Sequence, residues 1–111
     1  MKISDLTKET KELTVVYRTP SAEFEVKLEY RTQAVDVGFI QEMRAKDGID
    51  RVVYQVVEVV SKWDLQFDDG KLVPVTAEGI EKAHIPVFLL HSILDAIAED
   101  QRLLPDDSKN G

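Results

Sequence analysis

Cysteine is absent from this chain, which rules out a disulfide framework, a thiolate metal site and a cysteine nucleophile, and makes a reducing cytosol the natural compartment. Basic residues are scarce relative to acidic ones, 14 Lys and Arg against 21 Asp and Glu, for a net charge of −7. Affinity for phosphate backbones comes from cations that neutralise them, so nucleic acid is excluded as a partner class. No apolar run approaches the ~20 residues of a membrane span, and Met1-Lys2-Ile3-Ser4-Asp5 lacks the apolar stretch of a signal peptide. No membrane contact is expected, and the protein should stay where it is made. There is no glycine-rich phosphate loop, no HExxH, and no nucleophile beside a base. An enzyme and a bound cofactor are therefore not expected.

The 111 residues present are enough for one domain, which at this size buries roughly 60 to 70% of its unfolded surface. The chain is organised around Trp63 to Thr76, WDLQFDDGKLVPVT. Within it, Asp68-Asp69-Gly70-Lys71 is the strongest turn signal, because Gly70 takes φ > 0 cheaply and Asp hydrogen-bonds its own backbone. Upstream, residues 1 to 10 are polar apart from Ile3 and Leu6, and read as a mobile arm or a brief helical turn, with Ser4 as a cap. Leu13, Val15 and Tyr17, then Phe24, Val26, Leu28 and Tyr30, alternate with polar residues on either side of Thr19-Pro20-Ser21-Ala22, which predicts a β-hairpin over 11–31 with one wet face.

Thr32 then reads as the cap of an amphipathic helix from Gln33 to Asp47, with Val35, Phe39 and Met43 one turn apart and Gly48 ending it. Asp50 would cap a second helix in which Val52, Val53, Val56, Val57, Val59, Val60 and Trp63 fill one side and Arg51, Gln55, Glu58 and Lys62 the other. The run is β-branched, so strand competes, but a 3.6-residue stripe over 13 residues is hard for a period-2 element to produce. Leu72, Val73 and Val75 would make a short edge strand broken by Pro74. Thr76 caps a short helix to Lys82 or Ala83, and Pro86 opens a last helix over Val87 to Asp100, its buried stripe Leu90, Ile93, Leu94 and Ile97 flanked by Leu89 and Ala96. The expected fold is α+β: an N-terminal β-hairpin packed on a small bundle of about four helices. Residues 1–104 form a single globular domain (arm 1–10, hairpin 11–31, helical part 32–100), and the polar end 105–111 is expected to be disordered.

Asp64, Asp68 and Asp69 imitate a calcium loop, but the spacing fails. With Gly70 at the sixth position, the first, third and twelfth would be Leu65, Phe67 and Thr76, none of them a carboxylate. His84 and His91, with Asp95 one turn beyond, lack a third ligand in phase. No metal site is expected. Phe88 falls on the polar side of the last helix with Ser92, Asp95 and Glu99, opposite the Leu90–Ile97 stripe. It is either an outward aromatic usable as an interface anchor or a residue folded back under Ile85. Phe88, with Ile3 and Leu6 of the arm behind it, is the candidate partner-binding set.

A Val-rich helix followed by WDLQFDDGKLVPVTAEGIEKAHIPVFLLHSILDAIAED and a polar tail resembles the tail assembly chaperones of long-tailed siphophages and related prophages. The match lies over residues 61 to 100, in the Trp-Asp-Leu, the Asp-rich Gly turn, the hydrophobic-Pro pair, the Thr-x-Glu and the Pro-started helix ending Ala-Ile-x-Glu-Asp. The resemblance implies a non-enzymatic chaperone of virion assembly in the host cytoplasm, absent from the mature virion. Such a protein coats the hydrophobic helical tape measure protein until tail tube subunits replace it, and self-associates into spirals or rings. It also implies a longer product made by a −1 ribosomal frameshift, and Ser108-Lys109-Asn110-Gly111 permits the slippery heptamer A AAA AAC. No fixed residue role comes with the resemblance. From another class, an acidic protein that blocks a basic surface, such as an antitoxin or nucleic-acid mimic, fits the same charge.

Overall fold

The computed structural model describes residues 1–102. The chain runs α1 (Ile3–Thr7), β1 (Thr10–Arg18), β2 (Glu23–Arg31), α2 (Val37–Arg44), α3 (Gly48–Val59), β3 (Val60–Trp63), α4 (Ala77–Lys82) and α5 (Val87–Arg102). The class is α+β, as expected, with a third strand added to the hairpin. The three strands form an antiparallel sheet in the order β1-β2-β3. Thr19 closes the hairpin loop: its backbone N–H donates to the Ala22 carbonyl at 2.8 Å and its hydroxyl accepts from the Ala22 N–H at 3.1 Å. Val15 pairs with Val26 and Leu13 with Leu28, which in turn pairs with Trp63. Alternation then puts all of them on one face, the face packed by α5, and α3 packs on α5 in turn. Of the expected α5 stripe, Leu90, Ile93 and Ile97 are buried in that core and Leu94 is half-buried against it, while the flanking Leu89 is buried as well.

The largest correction concerns residues 60–63, which form strand β3 and not the end of the preceding helix. Val60 turns extended (φ −83, ψ 122) without a glycine or proline to force it. Two features hold the switch. The Arg31 guanidinium donates to the carbonyls of Glu58 (2.9 Å) and Val60 (3.1 Å), serving acceptors that the helix end leaves over. Asp64 locks the far end, its N–H donating to the Lys27 carbonyl and its carboxylate accepting from the Lys27 N–H, both at 3.0 Å. Tyr30 pairs with Val60 and Glu29 with Lys62, so Ser61 is an extra residue in the ladder. This bulge lets Val60 and Trp63, three apart, both face the core. An i, i+3 spacing that imitates a helix is what a bulged strand produces here.

Smaller corrections follow the same pattern of caps. Residues 33–36 are loop, and α2 begins at Val37 under Asp36, whose carboxylate accepts from the Phe39 N–H at 2.7 Å. Val35 is exposed, outside any helix. Thr32 caps nothing; its hydroxyl donates to the Glu9 carboxylate at 2.8 Å and its carbonyl accepts from the Gln101 side chain at 3.2 Å, which ties the N-terminal segment to the end of α5. Helix α2 ends at Arg44, and Gly48, with φ +55, opens α3, so Asp47 takes the cap position and Asp50 lies in the first turn. The arm holds a short helix with Lys2, not Ser4, at its cap position. The Leu72–Val75 segment meets its partner only at the Gln66–Leu72 bridge, while the Val73 N–H donates to the Leu65 carbonyl at 2.9 Å. The turn at Gly70 (φ +86) is as expected, with the Asp69 carboxylate accepting from the Lys71 N–H at 3.0 Å. Thr76 caps α4 as expected, accepting from the Gly79 N–H at 3.0 Å. The expected disordered end 105–111 and the Ser108–Gly111 site lie outside the described residues.

One polar cluster closes the core where β1 and β2 meet the end of α5. The fully buried Tyr30 donates its hydroxyl to Asp100 at 2.6 Å, and the Lys11 ammonium lies 2.9 Å from the same carboxylate. The Tyr30 hydrogen bond, and then Lys11, hold the Asp100 carboxyl below its usual range, against the partial burial that opposes them. Burial, and then Asp100, push the Tyr30 phenol well above its own range. The unfolded chain takes up the Asp100 proton first on acidification, so this contribution is complete above the unfolded value of about 3.9 and lost as pH falls through the lower folded value. Tyr30 works from the other side, its contribution lost as pH rises above about 10. Asp100→Asn is expected to cost about 1 kcal/mol at neutral pH, discounted for the partial exposure of the carboxylate, and to flatten the acid limb of stability. Urea midpoints at pH 7 and near pH 3 for both proteins check this; equal slopes on acidification would remove Asp100 from that role.

Candidate functional site

Phe88 stands on the outer side of the first turn of α5 and is 79% exposed, so it does not fold under Ile85. Ile3 on α1 is 68% exposed and Leu6 is half-buried. These residues do not form one site. The N-terminal segment is tied through Glu9 and Thr32 to Gln101, whereas Phe88 lies about 20 Å away along α5 at 1.5 Å per residue. His84 and His91 are both exposed, and among the described residues no cluster of His, Asp and Glu has a metal-binding arrangement. Asp64 and Asp69 serve backbone N–H groups, as given above.

The feature sequence reasoning missed is a groove of about 920 Å³ between α3 on one side and α4 with the start of α5 on the other. Ile49, Val53 and Val57, at i, i+4 and i+8, line the α3 wall together with Tyr54. Ala77, Ile80, Ile85, Val87 and Leu90 line the opposite wall. Ile80 and Leu90 belong to the core, whereas Ile49 and Val87 are 47% and 46% exposed and stand at the edge as uncovered apolar side chains. The charged groups in the lining are Asp47, Asp50 and Glu81 against Lys46, which lies 5.3 Å over the Tyr54 ring and 3.9 Å from Glu42. Partial burial, and then the carboxylates of Glu58, Glu42 and Asp36, raise the Tyr54 phenol above its usual range.

Two hydrogen-bonded turns border the groove. The Arg51 side chain donates to the carbonyls of Met43 (3.1 Å) and Lys46 (3.0 Å), fixing the α2–α3 connection. On the other wall α4 ends in a Schellman motif: the Ile85 N–H donates to Ile80 (3.2 Å) and the His84 N–H to Glu81 (3.1 Å). His84 occupies the left-handed position of that motif at φ +53, where glycine is usual. The sequence carried a signal for this turn, Pro86 two residues after a polar residue that follows a capped helix. Ile49 and Val87 were less visible, because Ile49 falls ahead of the expected Asp50 cap and Val87, one turn before Leu90, continues a stripe that reads as core. No protein-family model, curated protein or solved structure matches this chain.

Proposed function

We propose that this protein is a tail assembly chaperone of a siphophage or related prophage. In this role it is not an enzyme: it binds the hydrophobic tape measure protein in the host cytoplasm, keeps it soluble until the tail tube protein polymerises, and is left out of the virion. The supporting observation is the solvent-open apolar groove between α3 and α4–α5 on a domain of net charge −7. Such a protein offers apolar contacts without precipitating, since a net charge far from zero favours solubility. The motif order over residues 61 to 100 points the same way. Among the described residues no helix is long and apolar enough to cross a membrane. Self-association along the tape measure, and a frameshift-extended form of the chain, belong to the same proposal.

The acidic-mimic alternative is less well supported, because blocking a basic surface calls for a continuous acidic face. On the wet face of the sheet Glu23 pairs with Arg18 at 3.0 Å and Glu29 with Lys62 at 3.4 Å, leaving charge of mixed sign. Co-expression with a cognate tape measure protein is the test. The tape measure is expected in the soluble fraction only when this chain is present, and the two should co-elute at high salt. A tape measure equally insoluble with and without the chain would remove the proposal.

A further inference from the structure

We infer that the α3/α4–α5 groove is the seat of the partner, and that it takes an amphipathic helix whose apolar stripe is flanked by Lys or Arg. This rests on the chaperone proposal for the nature of the partner and adds the place and the charge pattern. From Ile49 to Val57 the α3 wall runs about 12 Å, which faces slightly more than two turns of a docked helix. That is the span of anchors at i, i+3 or i+4, and i+7, the usual footprint of a helix in a groove. Ile49 and Val87 are the side chains such a helix would cover, since both line the groove, one from α3 and one from α5, and both are half-exposed. Charge complementarity selects the flanks: Asp47, Asp50 and Glu81 line the groove, and the one lysine there is already over Tyr54 and beside Glu42. A helix with acidic flanks would meet three carboxylates with no cation to spare. The walls are set before binding by the Arg51 contacts and the Ile80–Ile85 turn, so little ordering is needed on association.

Two labelled peptides of about 18 residues test this by fluorescence anisotropy, sharing one Leu stripe and carrying either Lys or Glu beside it. The full chain is expected to bind the Lys peptide at least about tenfold more tightly than the Glu peptide. Ile49→Asp and Val87→Asp should each weaken the Lys peptide about tenfold or more, while Phe24→Ser, an exposed apolar change on β2, leaves it unchanged. The triple change Asp47→Asn, Asp50→Asn, Glu81→Gln should erase the preference between the peptides. Raising the salt should narrow that preference to within a few-fold and spare the apolar affinity. Both single sites are half-exposed, and Ile49→Ser with Val87→Ser provides a milder pair should an Asp variant lose its circular dichroism spectrum. Folded groove variants that bind like the native chain, or a native chain that binds neither peptide, overturn the inference. If those variants still keep the tape measure soluble, the groove assignment falls and the chaperone proposal stands. If the native chain seats the Lys peptide in the groove but leaves the tape measure insoluble, the chaperone proposal falls and the groove assignment stands.

Discussion

Trp63→Ala is expected to lower the unfolding free energy by at least about 3 to 5 kcal/mol, the usual cost of deleting a large buried aromatic. Trp63 is 6% exposed, pairs across the strand with Leu28, and its indole N–H donates to the Val73 carbonyl at 2.8 Å in a buried setting. Deleting the ring opens a cavity between the sheet and the Leu65–Val73 ribbon and leaves that carbonyl without its donor, a further penalty of about 1 to 3 kcal/mol. A domain whose whole stability is about 5 to 15 kcal/mol would be brought close to unfolding at room temperature. Trp63→Phe separates the two contributions, since it keeps most of the apolar ring and loses the donor; it should cost about 1 to 3 kcal/mol. Urea denaturation followed by far-ultraviolet circular dichroism measures both. Native Trp63 should also emit to the blue of a water-exposed indole. A Trp63→Ala protein as stable as Trp63→Phe would show that the ring fills no part of the core.

Gly79→Ala is expected to destabilise by about 1 to 3 kcal/mol, the range for overpacking. The sign is the informative part, because glycine inside a helix normally loses about 1 kcal/mol relative to alanine and the replacement would ordinarily help. Here a Cβ would be driven into the Pro74 carbonyl oxygen, a backbone atom that cannot rotate away, with Thr76 Oγ1 3.1 Å from the same point. To make room, α4 must move off the Val73–Val75 segment, disturbing both the Val73 carbonyl that holds Trp63 and the Ala77–Ile80 wall of the groove. The urea midpoint should fall with an unchanged slope. A midpoint that rises would mean that the close approach of α4 to Pro74 does not exist in solution.

The parts of the fold legible in the sequence were those fixed by local chemistry. The hairpin followed from alternation at Leu13, Val15, Val26 and Leu28, the turn from Gly70, and α4 from the Thr76 cap. The stripe of α5 was equally plain, whereas it left open whether Phe88 points outward or folds back, and the structure has it outward. What was not legible depended on residues far apart in sequence. Strand β3 exists because β2 offers a free edge and because Arg31 and Lys27 meet the chain at both ends of it, and nothing within residues 51–63 encodes those partners. Asp36 displaced Thr32 as a cap because Thr32 is engaged by Glu9 and Gln101, contacts 23 and 69 residues away. The groove belongs to the same class: Ile49 and Val87 look unremarkable on their own helices and become a site only when α3 and α5 are placed side by side.

The groove assignment for an apolar helical partner is tested most directly by hydrogen exchange read by mass spectrometry on the full chain, with and without a soluble tape measure segment. Protection is expected in residues 45–57 and 77–90, the two walls of the groove, with the β1–β2 hairpin unchanged. Protection confined to the β1–β2 hairpin, or spread evenly over the chain, would contradict it.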